Sequence, residues 1–398
     1  MISSPRTAWP AVTILGLISF LYLTIPTSFS TKWQTISIPV GATDESRSTA
    51  FDSASNSNDL RLSTSQCDIY FPGLYREIES SVARGNIGPI KPVSRSGYIT
   101  ARIYNNELYV VGEGKNVWHR HQSTIQAISR AIVTSPEPLP NVLLPLLLND
   151  HPSSNVISLA RSPAPKEVNN TFLMPDYAFW SWPEPKIGAW TEARERISKM
   201  DKHFKDKSDI AIWRGTVHWN SDTRGKLLNV TRGKHWADVQ ELQWGKNDLT
   251  IEQFCQNKFL VYTEGVTYSG RLAYFTQCHS VIITTPFKWF QHYTHLFRSS
   301  GPKQNIVIIN DWSELESTIE HLIANPDQAE IVADNLVSTF RDLYLTPAAV
   351  NCYWRKLIRG YAEVTMGGKE TEVLKVADRG VRWESFAVMG KLEWDKTA

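Results

Sequence analysis

The second half of the chain alternates short apolar runs with amphipathic stretches, a pattern typical of strands that alternate with helices. The apolar runs at residues 209–213, 258–262, 280–284 and 305–309 predict strands. Strands and helices in this order favour an α/β fold with a parallel sheet. Ligands bind at the carboxyl ends of the strands in such sheets, so we expect a site there.

Capping residues predict where several helices of this half begin. Ser313-Glu-Leu-Glu316 has the capping-box pattern and predicts a helix that runs to Ala324. Asn325-Pro326 and Thr346-Pro347 predict the starts of the next two helices. Residues 223–230 predict a further helix.

The first half of the globular region mixes helices with a hairpin and one buried strand. Its predicted elements are a helix at 69–84, a hairpin of strands 98–104 and 107–111 that turns at Asn105-Asn106, a helix at 124–133, a strand at 142–148 and a charged helix at 190–206. The last of these helices is expected to connect the two halves of the molecule.

The N-terminus has a different composition from the rest of the chain. Residues 7–31 contain no charged side chain, and residues 8–25 are long enough and apolar enough to approach a membrane span. No clear cleavage site follows, so we favour a signal anchor over residues 1–31 rather than a cleaved signal peptide. Residues 32–66 are polar and predict a flexible stem that is rich in Ser, Thr, Asp and Asn.

The overall composition is that of a globular protein in an oxidising compartment. Of the 398 residues 42% are hydrophobic, and the net charge of +2 gives no reason to expect a nucleic-acid partner. The even number of cysteines (Cys67, Cys255, Cys278 and Cys352) predicts two disulfides, with three pairings possible. Asn169 and Asn229 begin glycosylation sequons.

Residues 258–285 read as a strand, a glycine-bearing turn, a short helix and a second strand. Backbone N–H groups and the helix start would converge on one point, which suits a phosphate or diphosphate. Arg271 stands where the helix begins and adds a planar donor fork. Arg214, next to Gly215, and Arg224 are close enough in sequence to one strand end to embrace the same diphosphate. An ordinary turn with arginines in surface salt bridges is the alternative.

Two other positions are candidates for chemistry. Asp150 follows the predicted strand 142–148, where a carboxylate can accept a proton from an attacking hydroxyl. A turn-capping aspartate is the alternative there. The loop that contains Trp180 and Trp182 offers a stacking wall for an acceptor, although core packing is the commoner fate of such residues.

Several well-known catalytic motifs are absent from the sequence. It contains no Walker phosphate loop, no GxSxG elbow, no HExxH pair and no paired CxxC. It also lacks an Asp-x-Asp triplet for a metal on a nucleotide-sugar diphosphate. Arginines and a helix end would therefore neutralise much of the diphosphate charge, and the sequence does not decide whether a metal is needed.

Taken together, the motifs resemble glycosyltransferase family 90, which includes fungal capsule-associated xylosyltransferases and animal protein O-glucosyltransferases. The motifs that carry the resemblance are Leu147-Leu-Asn-Asp-His-Pro152, Met174-Pro-Asp176, Phe179-Trp-Ser-Trp-Pro-Glu184, Trp213-Arg-Gly215 with Arg224, Gly265-Val-Thr-Tyr-Ser-Gly-Arg271 and Cys352-Tyr-Trp354. Their order and spacing agree over residues 67–364, and the aromatic loop has the fungal form.

The resemblance implies a GT-B fold with two Rossmann-like domains, at residues 67–205 on the acceptor side and at 206–345 on the donor side, followed by a C-terminal helix and tail at 346–398. It implies inverting transfer from a UDP-sugar to a hydroxyl of a glycan or glycoprotein, with Asp150 as the base. The implied donor-binding residues are Arg214, Gly215, Arg224, Gly265, Val266, Thr267, Tyr268, Ser269, Gly270 and Arg271. Asp176, Trp180 and Trp182 are expected to bind the acceptor, and the implied disulfides are Cys67–Cys352 and Cys255–Cys278.

The resemblance and the signal anchor together imply a single-pass type II protein of the Golgi or ER membrane with a lumenal catalytic region. Xylose is the first expectation for the donor sugar and glucose the second, on the fungal form of the motifs alone. Gly270 departs from the animal members, which tend to carry an aromatic there, and residues 365–398 match no family motif. A catalytically inactive relative that binds UDP or glycan, and a sugar-nucleotide hydrolase, are the alternatives.

Overall fold

Two β-sheets form the framework that positions the candidate site. The computed structural model describes residues 51–88, 93, 95–115, 118–151, 153, 155–163, 171–182, 187–366 and 380–389. These residues belong to one compact unit, Ser48–Ala398. The predicted anchor at 1–31 lies outside the described residues, and within them no helix combines the length and the apolar character that a membrane span requires.

The first sheet is mixed, and its strand order is β13-β2-β1-β3-β4-β5. Its strands are β1 (Tyr98–Tyr104), β2 (Glu107–Glu113), β3 (Val142–Leu147), β4 (Ile157–Ser158), β5 (Phe172–Leu173) and β13 (Val381–Arg382). The hairpin of β1 and β2 is confirmed. Asn105 and Asn106 form its turn with φ angles of 49° and 60°, the left-handed backbone that a tight hairpin requires.

The second sheet is parallel throughout, with strand order β12-β11-β10-β8-β9. Its strands are β8 (Ser208–Gly215), β9 (Ala237–Glu241), β10 (Asn257–Val261), β11 (Val281–Thr284) and β12 (Val307–Ile308). Phe259 and Val261 of β10 pack into one apolar cluster, whereas Leu260 packs into the other on the opposite face. A parallel strand buried on both faces explains why its sequence is a continuous apolar run. The mixed α/β class is therefore confirmed.

Helices cover the two sheets and supply much of the core. They are α1 (Ser53–Asn56), α2 (Thr64–Tyr70), α3 (Arg76–Ala83), α4 (Trp118–Val133), α5 (Trp190–Met200), α6 (Ser221–Thr231), α7 (Ile251–Phe254), α8 (Arg271–Phe275), α9 (Leu315–Ala324), α10 (Pro326–Thr339), α11 (Pro347–Met366) and α12 (Trp383–Met389). A short antiparallel ribbon of β6 (Ser181–Trp182) and β7 (Gly188–Ala189) precedes α5.

Two helix predictions were wrong in detail. The predicted helix at 69–84 is broken between α2 and α3, because Pro72 and then Gly73, with a φ of 81°, interrupt it. The predicted capping box at Ser313 does not form. Asp311 accepts the Ser313 amide instead and starts a short 3₁₀ turn before α9.

Both disulfides implied by the resemblance are present. Cys67 of α2 joins Cys352 of α11, and Cys255 joins Cys278 with Cα atoms 5.1 Å apart. The second bridge links the residues that follow α7 and α8. It therefore braces the strand and short helix that flank the predicted diphosphate turn.

The prediction of a flexible stem at 32–66 was wrong for residues 51–66, and residues 32–50 lie outside the described residues. Residues 51–66 pack on the folded body rather than extending from it, since Leu62 is buried and Phe51 contacts the core. Arg355 of α11 donates to the carbonyl groups of Leu60 and Leu62, which fixes this segment. The domain limits near residues 67, 206 and 346 stay a prediction.

Candidate active site

The turn predicted to bind a diphosphate lies between β10 and α8, at the carboxyl edge of the parallel sheet. Internal hydrogen bonds fix its backbone: the Ser269 amide donates to the Tyr262 hydroxyl at 2.9 Å, and the Gly265 amide donates to the Thr267 carbonyl at 2.8 Å. Because α8 has only five residues, its dipole is short. Side chains must therefore provide most of the positive charge near this turn.

Arg271 begins α8 and forms part of the wall of a small cavity of about 60 Å³ that opens to solvent. Its guanidinium group donates to the Arg214 carbonyl and lies 5.6 Å from the ring centre of Phe254. Burial, and after it the positive charge of Arg224, lower the pKa of Arg271 to about 10. The side chain is still charged at neutral pH, and a bound anion would relieve both effects.

The other two predicted diphosphate arginines donate mainly to the protein itself. Arg214 is buried, pairs with the Asp238 carboxylate at 2.8 Å and donates to the Asn247 carbonyl at 3.0 Å, although it also lines the cavity. Arg224 donates to the Glu264 carbonyl at 3.1 Å. Both arginines therefore shape the loops around the cavity, and their contact with a diphosphate stays a prediction.

Glu264 precedes the turn and was not predicted as a site residue. Its carboxylate accepts the backbone amides of Lys288 and Trp289 at 3.0 and 2.9 Å, so it ties the turn to the loop after β11. Burial raises the pKa of Glu264 to about 7, against the opposing effect of these two amides. The group therefore changes charge near neutral pH at the base of the turn.

Replacing Glu264 by Gln should remove a pH dependence of stability. The folded pKa is about 7 and the ordinary value is 4.5, so the folded state holds more protons between these pH values. Stability from this group is thus full below pH 4.5 and is lost as the pH rises to 7. Across this window Glu264→Gln should gain up to about 3 kcal/mol relative to the parent. Urea unfolding at several pH values checks this, and a constant difference would contradict it.

Asp150 lies shortly after β3, with 38% of its side chain exposed, and Arg120 of α4 holds it in place. The Arg120 guanidinium is 3.3 Å from the Asp150 carboxylate, donates to the Leu148 carbonyl and lies over the Tyr177 ring. The turn is capped by Asn149, whose side chain accepts the His151 amide. The alternative interpretation of Asp150 was a turn cap. Asn149 supplies that cap instead, and the Asp150 carboxylate faces Arg120.

Asp176 and Tyr268 connect the Asp150 region with the diphosphate turn. Asp176 is buried, accepts the Ala178 amide at 2.9 Å, and lies beside the turn, since a Cβ at Gly270 would be 3.4 Å from its carboxylate. Burial raises the pKa of Asp176, the amide and Tyr268 oppose that rise, and the negative charge of Asp150 adds to it. Asp150 therefore lies near enough to the turn to affect groups that contact it.

Arg120 supplies positive charge next to Asp150 and Asp176. Burial disfavours its charge, but attraction to Tyr177, Asp150, Tyr268 and Asp176 outweighs burial and holds its pKa above the ordinary value. No sequence pattern indicated this role, because Arg120 precedes the predicted helix and matches no motif. Arg120 thus interacts both with the candidate base Asp150 and with Tyr268 of the predicted diphosphate turn.

The two predicted acceptor-binding tryptophans have different surroundings. Trp180 is partly exposed, and the Arg130 guanidinium lies 4.6 Å from its ring centre. Trp182 is in β6 and lines the same cavity as Arg271. Trp244, in the loop after β9, lines it too and was not predicted. The structure therefore places Trp182 beside the predicted donor-binding residues Arg214 and Arg271, and acceptor binding at Trp180 stays a prediction.

The remaining predicted residues have simple surroundings. A Cβ at Gly215 would lie 2.5 Å from the Trp213 ring, so this glycine permits close packing. Asn229 is on the exposed face of α6, whereas Asn169 lies outside the described residues. Across the described part of the chain, no group of three or more His, Cys, Asp or Glu side chains forms a metal site.

Comparison with known proteins gives relatives of one kind. The chain is 26% identical over 221 residues to the O-glucosyltransferase rumi homolog of Aedes aegypti, a match that covers 48% of this chain and 52% of the relative. It is 22% identical over 263 residues to O-glucosyltransferase rumi of Drosophila melanogaster, covering 57% and 61%. The chain thus spans about half to three fifths of the length of these relatives.

A family-wide match covers much more of the chain than these pairwise matches. The sequence model of glycosyl transferase family 90 matches residues 63–375, a segment that includes Asp150, Arg214 and Arg271. This match confirms the resemblance found in the motifs, and the chain belongs to glycosyl transferase family 90.

Proposed function

We propose that this protein is an inverting glycosyltransferase of GT-B type that moves a sugar from a UDP-sugar to a hydroxyl group of a glycan or glycoprotein. The observation that carries the proposal is that arginines suited to a diphosphate and a carboxylate suited to a general base lie in one region of the structure. Arg271 and Arg214 line one cavity at the edge of the parallel sheet. The Asp176 carboxylate lies beside Gly270 of the neighbouring turn, where a Cβ would be 3.4 Å from it, and its charge interacts with that of Asp150.

In the proposed reaction Asp150 takes the proton from the acceptor hydroxyl. The hydroxyl oxygen attacks the anomeric carbon from the face opposite UDP, and the bond from that carbon to the diphosphate oxygen breaks. UDP leaves with the bonding electron pair, and Arg271 compensates its negative charge. Arg120 keeps the Asp150 carboxylate oriented throughout. Asp150 afterwards releases its proton to water.

The compartment and the substrates are part of the same proposal. Two disulfides are typical of a protein that folds in an oxidising compartment, which supports a lumenal location in the Golgi or ER. The names of the insect relatives favour glucose as the sugar. Xylose remains the alternative donor, expected from the fungal form of the motifs.

A donor panel tests the function as a whole. The protein is incubated with UDP-xylose, UDP-glucose and other UDP-sugars, each with glycan and glycoprotein acceptors, and the product is identified by mass spectrometry with its anomeric configuration. We expect one sugar to be transferred with inversion. Hydrolysis without transfer, or binding of UDP without turnover, would instead support the hydrolase or the inactive relative.

Replacing Arg271 by Ala should weaken UDP binding by about 2 kcal/mol, the value of a typical charged hydrogen bond in a partly buried site. Isothermal titration with UDP measures the change directly. Arg232→Ala is the matched control, because Arg232 is an exposed arginine that donates to Asn229 outside the cavity wall. Unchanged UDP affinity in Arg271→Ala would remove this residue from the diphosphate site.

A further inference from the structure

Trp182 is packed against the glycine that precedes Arg271. A Cβ added at Gly270 would lie 3.0 Å from one ring atom of Trp182 and 3.4 Å from the Asp176 carboxylate. The first value is tighter than nearly all real contacts, so the indole occupies space that a side chain at position 270 would need. The absence of a side chain at Gly270 therefore lets the indole reach the start of α8.

Neighbouring aromatic rings hold the indole in this position. The Trp182 ring makes an edge contact with Tyr177 at 5.9 Å and a tilted contact with Tyr274 at 6.3 Å. Its backbone pairs with Gly188 in the β6–β7 ribbon. The ring is thus a supported wall of the cavity rather than a mobile surface group.

Trp182 lies between the predicted diphosphate-binding residue Arg271 and the candidate base Asp150. On one side Trp182 shares the cavity with Arg271, where the diphosphate is expected. On the other side it contacts Tyr177, the residue over which Arg120 lies as it pairs with Asp150. In a UDP-sugar the sugar ring is the part that spans the distance from the diphosphate to the base. Trp182 therefore borders the space that the donor sugar must occupy.

We propose that Trp182 determines donor specificity by limiting the size of the sugar, so that the site accepts a pentose such as xylose better than a hexose such as glucose. Glucose carries a hydroxymethyl group on ring carbon 5 where xylose carries hydrogen, and a fixed indole leaves less room for it. Differences of this size in a pocket change selection by about 10–200-fold. The inference rests on the proposed use of a UDP-sugar. It assigns Trp182 to the donor sugar, whereas the sequence predicted that this residue binds the acceptor.

Binding measurements test this without knowledge of the acceptor. The full chain and its Trp182→Phe and Trp182→Leu variants are titrated with UDP, UDP-xylose and UDP-glucose. In the parent we expect UDP-xylose to bind at least about tenfold more tightly than UDP-glucose, and the ratio to fall towards one in the order Trp, Phe, Leu. Because UDP lacks the sugar, its affinity should change much less than that of either UDP-sugar. Trp219→Leu, at an exposed tryptophan outside the cavity wall, should keep the parent ratio.

The close approach of positions 182 and 270 allows a second, independent experiment. Gly270→Ala should weaken UDP-xylose binding by about fivefold or more in the parent and by less than about twofold in Trp182→Leu, as expected for coupled neighbours. Equal losses in both backgrounds, an unchanged sugar ratio in Trp182→Leu, or a parent that prefers UDP-glucose would overturn the inference while UDP still binds. A parent that does not bind UDP at all would overturn the proposed function as well.

Discussion

Replacing Asp150 by Asn should lower kcat for sugar transfer by about 10²–10⁴-fold, the usual contribution of a general base. The substitution keeps an oxygen that can accept from Arg120, 3.3 Å away, but removes the ability to take a proton. Because Asp150 lies outside the wall formed around Arg271, UDP should still bind with unchanged affinity. The measurement is initial-rate kinetics with saturating donor, alongside UDP titration.

Two comparisons make the Asp150 result specific. Asp206→Asn changes an exposed aspartate away from the cavity and should leave kcat at the parent value. Arg120→Met should lower kcat less than Asp150→Asn, because Arg120 orients the base and does not itself take the proton. Transfer at the parent rate in Asp150→Asn would show that another group is the base. The buried carboxylate of Asp176 would then be the next candidate.

The sequence predicted the position of the glycine-bearing turn better than the contacts around it. Arg271 and its turn follow a strand that is buried on both faces, so a continuous apolar run marks where the turn must lie. No comparable pattern in the local sequence indicates the roles of Arg120 and Glu264. Their roles come from contacts with residues distant in sequence, such as Asp150 and Trp289, and these contacts exist only in the folded chain.

The same distinction explains which fold elements were found. Strands β8, β10 and β11 are apolar runs and were predicted, whereas β9 at the sheet edge, with the sequence Ala-Asp-Val-Gln-Glu, is partly exposed and was missed. The segment that contains Leu60 and Leu62 is polar on average, and Arg355 of α11 anchors it through bonds across 295 and 293 positions. Composition within a window cannot report a partner at that distance.

A buried ion pair links the crossover after α5 with the second sheet. The Lys207 ammonium pairs with the Asp201 carboxylate and donates to the Ser280 hydroxyl at 3.0 Å, and both charged side chains are almost fully buried. Asp201 also accepts the His279 amide at 2.7 Å. Burial lowers the pKa of Lys207 to about 8, although attraction to Asp201 opposes that change. The lysine is therefore tolerated in the interior only because of Asp201.

Asp201→Asn should accordingly destabilise the protein by about 3–5 kcal/mol, since it leaves a buried ammonium without its counter-charge. Lys207→Met should cost less, because Asp201 keeps the His279 amide and faces Arg341 at 3.6 Å. Urea unfolding with intact disulfides measures both free energies. Equal losses in the two variants would contradict this asymmetry.

The pH dependence of stability gives a separate signature of the same pair. The folded pKa of Lys207 is about 8 and its ordinary value is 10.5, so the unfolded chain holds more protons between these values. The free energy of unfolding should therefore gain a rising contribution from pH 8 to 10.5 in the parent, and Lys207→Met should lack it. In Asp201→Asn the attraction that supports the charged lysine is gone, so the rise should begin at lower pH. An identical pH profile in the parent and in Lys207→Met would show that Lys207 titrates as an exposed lysine does, and the buried pair would then not explain the cost of Asp201→Asn.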